Sequence, residues 1–143
     1  MTSLPVLPHH FSPEHEAFRA TVRAFVAREI EPHVADWDEA GSFPRALYAK
    51  AASIGMLGIG YPEALGGTPA DIFFSIAAAE EIAGAGSGGL QASLGSHGIA
   101  LPPIVAHGSA ALQRRVVPGV LAGEKIAALA ITEPGGGSDV AAL

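Results

Sequence analysis

The sequence predicts an all-α fold, a bundle of helices, with one β-strand near its C-terminal end. Apolar residues recur at helical spacing from Phe18 onward. Glycine and proline, 18 and 11 of the 143 residues, divide the chain into segments of helix length. The apolar run over residues 126–131 has a β-branched residue at each end and lies between Gly123 and Pro134, which is typical of a buried strand.

The first predicted helix begins at Pro13, with Ser12 as its N-cap. Its apolar stripe consists of Phe18, Val22, Phe25, Val26 and Ile30. Pro32 should end or kink this helix, because proline lacks the N–H that a helix interior needs. Val34 and Trp37 continue a short apolar segment before Gly41. A further helix is predicted from Pro44 to Gly55, with Leu47, Ala51 and Ile54 on one face.

The next helix is predicted to start at Pro69, after a loop rich in glycine and proline. Thr68 is its predicted cap, and Asp71 follows three residues later in an arrangement close to a capping box. Glu80 and Glu81 lie further along this helix. Adjacent carboxylates serve acid–base chemistry or metal binding in some proteins, but successive helical residues point about 100° apart. The favoured interpretation is therefore a structural or interface role.

The segment from Gly84 to Ala100 is rich in small residues within a predicted helix. Interior glycines weaken a helix, so this segment should be packed closely against its neighbours. Leu90, Leu94, His97 and Leu101 share its apolar face. The final helix starts after the predicted N-cap Ser109, is expected to be interrupted at Pro118, and ends by Gly123.

Composition excludes several classes of function. A net charge of −6 and the lack of a Lys/Arg cluster argue against nucleic-acid binding. The six histidines show no i, i+4 pair and there is no cysteine, so no metal site is predicted. The absence of cysteine fits a reducing compartment. Residues 1–11 lack the features of a signal peptide, and no apolar run approaches the ~20 residues of a membrane span. A cytoplasmic location is therefore expected.

The segment from Leu129 to Val140 carries the most chemical information in the chain. Thr132 follows the predicted strand, and a glycine-rich loop leads to Ser138. The two hydroxyls donate and accept hydrogen bonds, and the glycines allow another molecule to approach the backbone. A flat or anionic ligand fits such a loop. The loop matches neither the dinucleotide-binding nor the P-loop pattern, and a flexible turn explains the same residues.

This segment resembles the first signature of the acyl-CoA dehydrogenase family, an apolar residue before Thr-Glu-Pro, two small residues and Gly-Ser-Asp. Thr132-Glu133-Pro134 and Gly137-Ser138-Asp139 match it, while Gly136 stands where alanine is usual and Leu129 where some members carry an aromatic residue. Upstream matches in the same order are Phe43-Pro44, Gly55-Met56-Leu57-Gly58-Ile59, Pro62-Glu63, Gly66-Gly67, Glu80-Glu81 and Gly108. The resemblance thus covers nearly the whole chain.

The resemblance implies a flavoenzyme that binds FAD and oxidises an acyl-CoA to its trans-2-enoyl form. The backbones of Leu129, Ile131 and Thr132 would face the flavin rings, with Thr132 hydrogen-bonded near flavin N5. Ser138 and Gly137 would contact the flavin, and Ser138 also the substrate. The catalytic glutamate of such an enzyme would lie outside this chain. No catalytic residue is therefore expected here, and the chain alone should lack activity and bind FAD weakly.

The resemblance further implies that Gln91, Ala92 and Gly95 form the wall of an acyl-chain pocket, where small residues leave room for a longer or bulkier group. Close helix packing explains these glycines equally well. Residues 1–125 would form the N-terminal helical domain, and residues 126–143 the truncated start of the middle β-domain. Expected partners are an acyl-CoA, an acceptor resembling electron-transfer flavoprotein, and further copies in a homotetramer or dimer. Alternatives are an oxidase or flavin monooxygenase of the same superfamily, or a non-enzymatic helical interaction module.

Overall fold

Helices make up the computed structural model, which describes residues 10–139 and 141. The predictions for residues 1–9, 140, 142 and 143 lie outside the described part. The α-helices are α1 (Pro13–Glu29), α2 (Val34–Ala40), α3 (Ala46–Ser53), α4 (Ile72–Gly84), α5 (Gly88–Leu94), α6 (His97–His107) and α7 (Ala110–Leu121). Two short 3₁₀ turns, η1 (Met56–Gly58) and η2 (Glu63–Leu65), lie between α3 and α4. The predicted all-α fold is confirmed.

The start of α1 is fixed by its cap. The Ser12 side chain accepts a hydrogen bond from the backbone N–H of His15, and His15 Nδ1 accepts one from the backbone N–H of Ser12 at 2.8 Å. This is a capping box in which histidine replaces the usual Glu or Gln. Because Nδ1 accepts, the proton lies on Nε2, which donates to Asp71 Oδ1 at 2.9 Å. The cap of α1 is thus connected directly to α4.

Two groups of buried apolar residues form the core. The larger joins α1, α3, η1, α4 and α5, and it consists of Val22, Phe25, Val26, Ile30, Leu47, Tyr48, Ala51, Leu57, Ala78, Ile82, Leu90 and Leu94. The smaller joins η2, α6 and α7, and it consists of Leu65, Leu101, Val117, Val120 and Leu121. The predicted apolar stripe of α1 is confirmed as a core face, because Val22 and Ile30 are fully buried.

Two predictions about helix boundaries are wrong. Helix α4 is capped by Asp71, whose Oδ1 accepts from the N–H of Phe73 at 2.9 Å, and not by Thr68. Thr68 is held instead in a bridge with Ile59, where its N–H donates to the Gly58 carbonyl. The glycine-rich segment forms two helices, α5 and α6, that meet at Gly95 and Ser96.

Pro118 lies inside α7 and does not interrupt it. The helix continues because the Pro118 carbonyl still accepts from the N–H of Ala122 at 2.9 Å. Val117, Val120 and Leu121 are buried on either side of the proline. Burial of these three side chains offsets the backbone hydrogen bond that proline cannot make.

The predicted strand over residues 126–131 is absent from the described structure. This segment has no regular secondary structure, and no described residue forms a bridge with it. A strand needs a partner for its backbone N–H and C=O groups, and its apolar side chains are correspondingly exposed, with Leu129 49% and Ile131 44% accessible.

Ion pairs join α1 to α4 beside the larger core. Arg19 donates to Glu80, and Arg23 donates through two nitrogens to Glu81 at 2.8 and 2.9 Å. Arg19 also lies 3.5 Å from carboxylate oxygens of Glu16 and Glu81. Burial would lower the pKa of Arg19, but the hydrogen bond to Glu80 and the neighbouring carboxylates together raise it. Glu80 and Glu81 therefore have a structural role in this domain, as the sequence favoured.

Stability should fall at acidic pH through Glu81. The hydrogen bonds from Arg23 hold the pKa of Glu81 below its usual value despite partial burial. A lowered folded-state pKa contributes stability that is present above the unfolded value of about 4.3 and is lost as the pH falls through the folded-state value. We expect urea midpoints to fall from pH 6 to pH 3, and the fall to be smaller in Glu81→Gln. Glu39→Gln, at an exposed position on α2, is the control. An unchanged pH profile in Glu81→Gln would contradict this assignment.

Candidate functional site

A groove of about 840 Å³ runs between α4 and the α5–α6 pair. This volume falls within the roughly 300–1,000 Å³ of small-molecule sites. The lining residues come from η1 and the turn after it, from α4, and from α5 and α6; they are Met56, Leu57, Ile59, Gly60, Tyr61, Ser75, Ala78, Ala79, Ile82, Gly88, Gln91, Ala92, Leu94, Gly95, His97, Gly98, Ile99, Pro102, Val105 and Ala106. No acidic or basic residue other than His97 is among them, so the groove suits an apolar ligand.

His97 is the only titratable imidazole of this lining, and it is held by backbone groups. Its Nδ1 lies 3.1 Å from the Leu94 carbonyl oxygen. Because a carbonyl only accepts, Nδ1 carries the proton in this contact. Burial lowers the pKa of His97, and the Leu94 and Leu57 carbonyls oppose that shift only partly. The imidazole is therefore neutral at pH 7, and the groove carries no fixed charge.

Tyr61 closes one side of the groove next to His97. Its hydroxyl donates to the His97 carbonyl oxygen at 3.2 Å, and burial raises the pKa of this hydroxyl. Gly67 packs so closely on Tyr61 that a Cβ at position 67 would lie 2.4 Å from the Tyr61 carbonyl oxygen. The turn before α4 thus fixes the tyrosine by backbone packing.

The C-terminal loop is a second candidate site. Glu133 and Gly136 exchange two backbone hydrogen bonds, at 2.9 and 3.2 Å, which fold the loop into a tight turn. Across this turn, Thr132 lies against Gly137, where a Cβ would come within 3.3 Å of the Thr132 hydroxyl oxygen. Ser138 follows and is exposed. The two hydroxyl-bearing residues of the predicted site therefore flank one compact turn.

The properties of this loop fit a flavin. Within the described residues, the backbone groups of Leu129, Ile131 and Thr132 make no hydrogen bond, and the Leu129 and Ile131 side chains are about half exposed. Free backbone donors and acceptors can hydrogen-bond the polar edge of a planar ring system. The absence of a side chain at Gly137 leaves the Thr132 hydroxyl uncovered.

The structure places the predicted substrate and cofactor residues in two separate groups. Gln91, Ala92 and Gly95 line the groove together. The predicted cofactor residues Leu129, Ile131, Thr132, Gly137 and Ser138 lie in the C-terminal segment, and none of them lines the groove. Ser138, which is also predicted to contact the substrate, is thus separated from the other predicted substrate residues. Sequence reasoning missed the opposite wall, formed by Ser75, Ala78 and Ala79 of α4. The signal for it was the run of small residues on α4.

The described part of the chain contains neither a candidate metal-binding cluster nor a helix that could span a membrane. Residues 10–139 and 141 contain no group of three or more His, Cys, Asp or Glu side chains arranged to hold a metal ion. No described helix has the length and apolar character needed to cross a membrane.

Comparison with known proteins identifies the family. The family model for the acyl-CoA dehydrogenase N-terminal domain matches residues 12–124 of this chain. The long-chain specific acyl-CoA dehydrogenase of Sus scrofa mitochondria is 41% identical over 130 residues, covering 91% of this chain and 30% of the relative.

Solved structures agree. A Mycobacterium smegmatis protein assigned as an acyl-CoA dehydrogenase is 51% identical, with a TM-score of 0.86 over 91% of this chain and 34% of its own. The Bacillus anthracis acyl-CoA dehydrogenase, solved with FAD, is 33% identical, with a TM-score of 0.82 over 96% of this chain and 24% of its own. The present chain thus spans about a quarter to a third of the length of these relatives. Because the family model covers most of it, the chain belongs to the acyl-CoA dehydrogenase family, and corresponds to the N-terminal domain.

Proposed function

We propose that this chain is the N-terminal part of a flavin-dependent acyl-CoA dehydrogenase, and that its groove receives the acyl chain of the substrate. The observation that carries the proposal is the groove itself, which is apolar, uncharged and lined by Gln91, Ala92 and Gly95, the positions that the family resemblance assigns to the acyl pocket. Burying an acyl chain against such a surface is favourable by roughly 25 cal/mol for each Å² of apolar area that is removed from water.

The proposed reaction removes a proton from the carbon α to the thioester carbonyl and a hydride from the β carbon, which leaves the trans-2-enoyl-CoA. FAD supplies the hydride acceptor of this chemistry. The part of this chain is to bind and orient: the groove holds the acyl group away from water, and such orientation lowers the barrier by fixing the reacting atoms. The carboxylate base belongs to the part of the enzyme outside this chain.

The C-terminal loop would hold the flavin in this proposal. The Thr132 hydroxyl would hydrogen-bond near flavin N5, the backbones of Leu129, Ile131 and Thr132 would face the rings, and Ser138 with Gly137 would contact the flavin and the substrate. The backbone groups of Leu129, Ile131 and Thr132, which make no hydrogen bond within the described residues, support these roles. Its apolar side chains would be covered in the complete enzyme by the β-domain that we place from residue 126 onward, after the helical domain of residues 1–125.

The complete enzyme is further proposed to be a cytoplasmic homo-oligomer, a tetramer or a dimer. It would pass its electrons to an acceptor resembling electron-transfer flavoprotein. The family membership supports the acceptor and the oligomer, and the absence of cysteine fits a reducing compartment.

The test is a chimera in which this chain replaces the matching N-terminal third of the Mycobacterium smegmatis relative. We expect the purified chimera to be yellow, and its flavin absorbance to bleach when an acyl-CoA is added anaerobically. The 143-residue chain alone should show no turnover. A yellow chimera that no acyl-CoA bleaches would contradict the proposed reaction, and a colourless one the proposed flavin site.

Thr132 provides a sharper test within the chimera. Thr132→Ala should slow flavin reduction by roughly 100- to 1,000-fold, on the scale of losing one charge-stabilising hydrogen bond at a reacting centre. Thr132→Ser keeps the hydroxyl and is the matched control, which should retain most of the rate in stopped-flow measurements. Equal rates in all three proteins would remove Thr132 from the proposed site.

A further inference from the structure

A second cavity, of about 600 Å³, shares no lining residue with the groove. It is formed by α2, the turn into α3, α3, α5 and the start of the C-terminal segment; its lining residues are Trp37, Asp38, Gly41, Ser42, Phe43, Arg45, Tyr48, Gly89, Leu90, Ser93 and Ile126. Unlike the groove, this cavity has one acidic and one basic side chain, Asp38 and Arg45. We propose that it binds a free α-amino acid with an aromatic side chain. This inference goes beyond the proposed function and does not depend on it.

Three aromatic rings give the cavity its apolar surface. Phe43 contacts both of the others, with ring centres 6.0 Å from Trp37 and 5.6 Å from Tyr48. Tyr48 and Leu90 are buried, whereas Trp37 and Phe43 are half-buried. Aromatic rings attract one another at centre-to-centre distances of about 4.5–7 Å. A further ring that enters the cavity can therefore extend this row.

Asp38 and Arg45 are each held by one hydrogen bond and keep other polar atoms available. Asp38 Oδ1 accepts from the Ser87 hydroxyl at 2.6 Å, and Arg45 Nη2 donates to the Glu124 carbonyl oxygen at 2.8 Å. Within the described residues, neither side chain forms an ion pair. Burial raises the pKa of Tyr48 and the Arg45 charge opposes this rise, so that charge acts at the aromatic rings. Two opposite charges thus border one cavity without neutralising each other.

This pair of charges favours a ligand that carries both signs. An anion would be attracted by Arg45 but repelled by Asp38 and by the net charge of −6, and a cation would be repelled by Arg45. An amino acid presents a carboxylate to the guanidinium and an ammonium group to the Asp38 carboxylate. Trp37, next to Asp38 in the chain, adds an indole face, which also attracts an ammonium group. The aromatic side chain of the ligand would then pack on the row of rings.

The test titrates L-phenylalanine into the purified 143-residue chain. Trp37 is the single tryptophan and lines the cavity, so its fluorescence reports occupancy. We expect a saturable change with a Kd on the order of 1 mM, as expected for so small a ligand. N-acetylphenylalanine lacks the ammonium group and phenylalanine amide lacks the carboxylate, so each should bind at least about tenfold more weakly. Equal binding of either derivative, or no saturable change with phenylalanine, would overturn the proposal.

Asp38→Asn locates the ammonium group. Asparagine keeps an oxygen that can accept from Ser87, so the fold should be retained. Phenylalanine should bind about tenfold more weakly to this variant, whereas N-acetylphenylalanine should lose nothing further. Asp36→Asn is the matched control, because Asp36 is exposed on the same helix and lies outside the cavity. Unchanged phenylalanine binding in Asp38→Asn, or the same loss in Asp36→Asn, would contradict the assignment.

The chimera tests the site in the complete enzyme, where the proposed middle domain begins at Ile126, a lining residue. Saturation-transfer NMR of phenylalanine should show binding to the chimera, and the Asp38→Asn chimera should lose it. Absence of binding to a folded chimera would show that another domain covers the cavity, and would overturn the proposal for the complete enzyme.

Discussion

Replacing Gly123 with alanine should destabilise the domain by about 2–5 kcal/mol. Gly123 has a φ of +74°, a left-handed conformation that costs an L-residue about 1–2 kcal/mol. A Cβ at this position would also lie 2.5 Å from the carbonyl carbon and oxygen of Tyr48 and 2.6 Å from the N of Ala49. These are backbone atoms of α3, so no side-chain rotation relieves the clash.

Gly41→Ala separates the two causes. Gly41 also follows a helix and has a φ of +65°, but a Cβ there meets nothing within 4 Å. It should therefore cost only the conformational term, about 1–2 kcal/mol. Urea unfolding of both variants, followed by the fluorescence of the single tryptophan, Trp37, gives the comparison. Equal losses in the two variants would show that the contact between Gly123 and α3 contributes nothing.

Gly123 also lies where the two cores meet. Gly123 is buried at the end of α7, which belongs to the smaller core, and it touches Tyr48 of the larger one. Arg45 adds a second link in the same region, because its Nη2 donates to the Glu124 carbonyl oxygen at 2.8 Å. The end of α7 is thus a fixed junction immediately before the exposed C-terminal segment.

Local signals were sufficient to predict much of the fold. The caps of Ser12 and Ser109, and the left-handed glycine after α2, lie within a few residues of the helix ends that they define. The predictions that Thr68 caps α4 and that Pro118 interrupts α7 are wrong, because contacts outside the local sequence determine both. The Gly58 backbone accepts a hydrogen bond from Thr68, and core burial around Pro118 keeps α7 continuous. The strand predicted over residues 126–131 is absent for the same reason, because a strand requires a pairing partner that the described residues do not supply.

The residues of the candidate site could likewise be predicted only in part from local sequence. Motif resemblance was needed to nominate Gln91, Ala92 and Gly95, because small residues on a helix equally indicate close packing. That these residues face Ala78 and Ala79 depends on how α4 and α5 pack, which no local pattern specifies. The flavin residues were nominated by resemblance alone, and they remain a prediction.

Arg19 is a buried charge that the sequence analysis passed over, although its position on the apolar stripe of α1, between His15 and Val22, was visible. Its side chain is 7% exposed, whereas that of Arg23, one turn later, is 64% exposed. Both donate to glutamates of α4, and the Arg19 guanidinium also lies 4.6 Å from the centre of the Phe11 ring. The two arginines therefore form a matched pair that differs mainly in burial.

Arg19→Ala should cost about 2–4 kcal/mol, because it removes a charge-assisted hydrogen bond, the stacking on Phe11 and the packing of a buried stem. Arg23→Ala should cost about 1 kcal/mol or less, as exposed ion pairs generally do. Arg19→Met retains most of the stem and removes the charge. Within the described residues, Arg19 Nε and Nη2 have no hydrogen-bond partner, so methionine also relieves two unsatisfied buried groups.

We therefore expect Arg19→Met to recover at least half of the stability that Arg19→Ala loses, as measured by urea unfolding at pH 7. This result would show that Arg19 stabilises the α1–α4 interface mainly by packing, with its charge largely balanced by the cost of burying it. If Arg19→Met were as unstable as Arg19→Ala, the hydrogen bond to Glu80 would be the dominant contribution. A loss in Arg23→Ala equal to that in Arg19→Ala would refute the argument that burial separates the two.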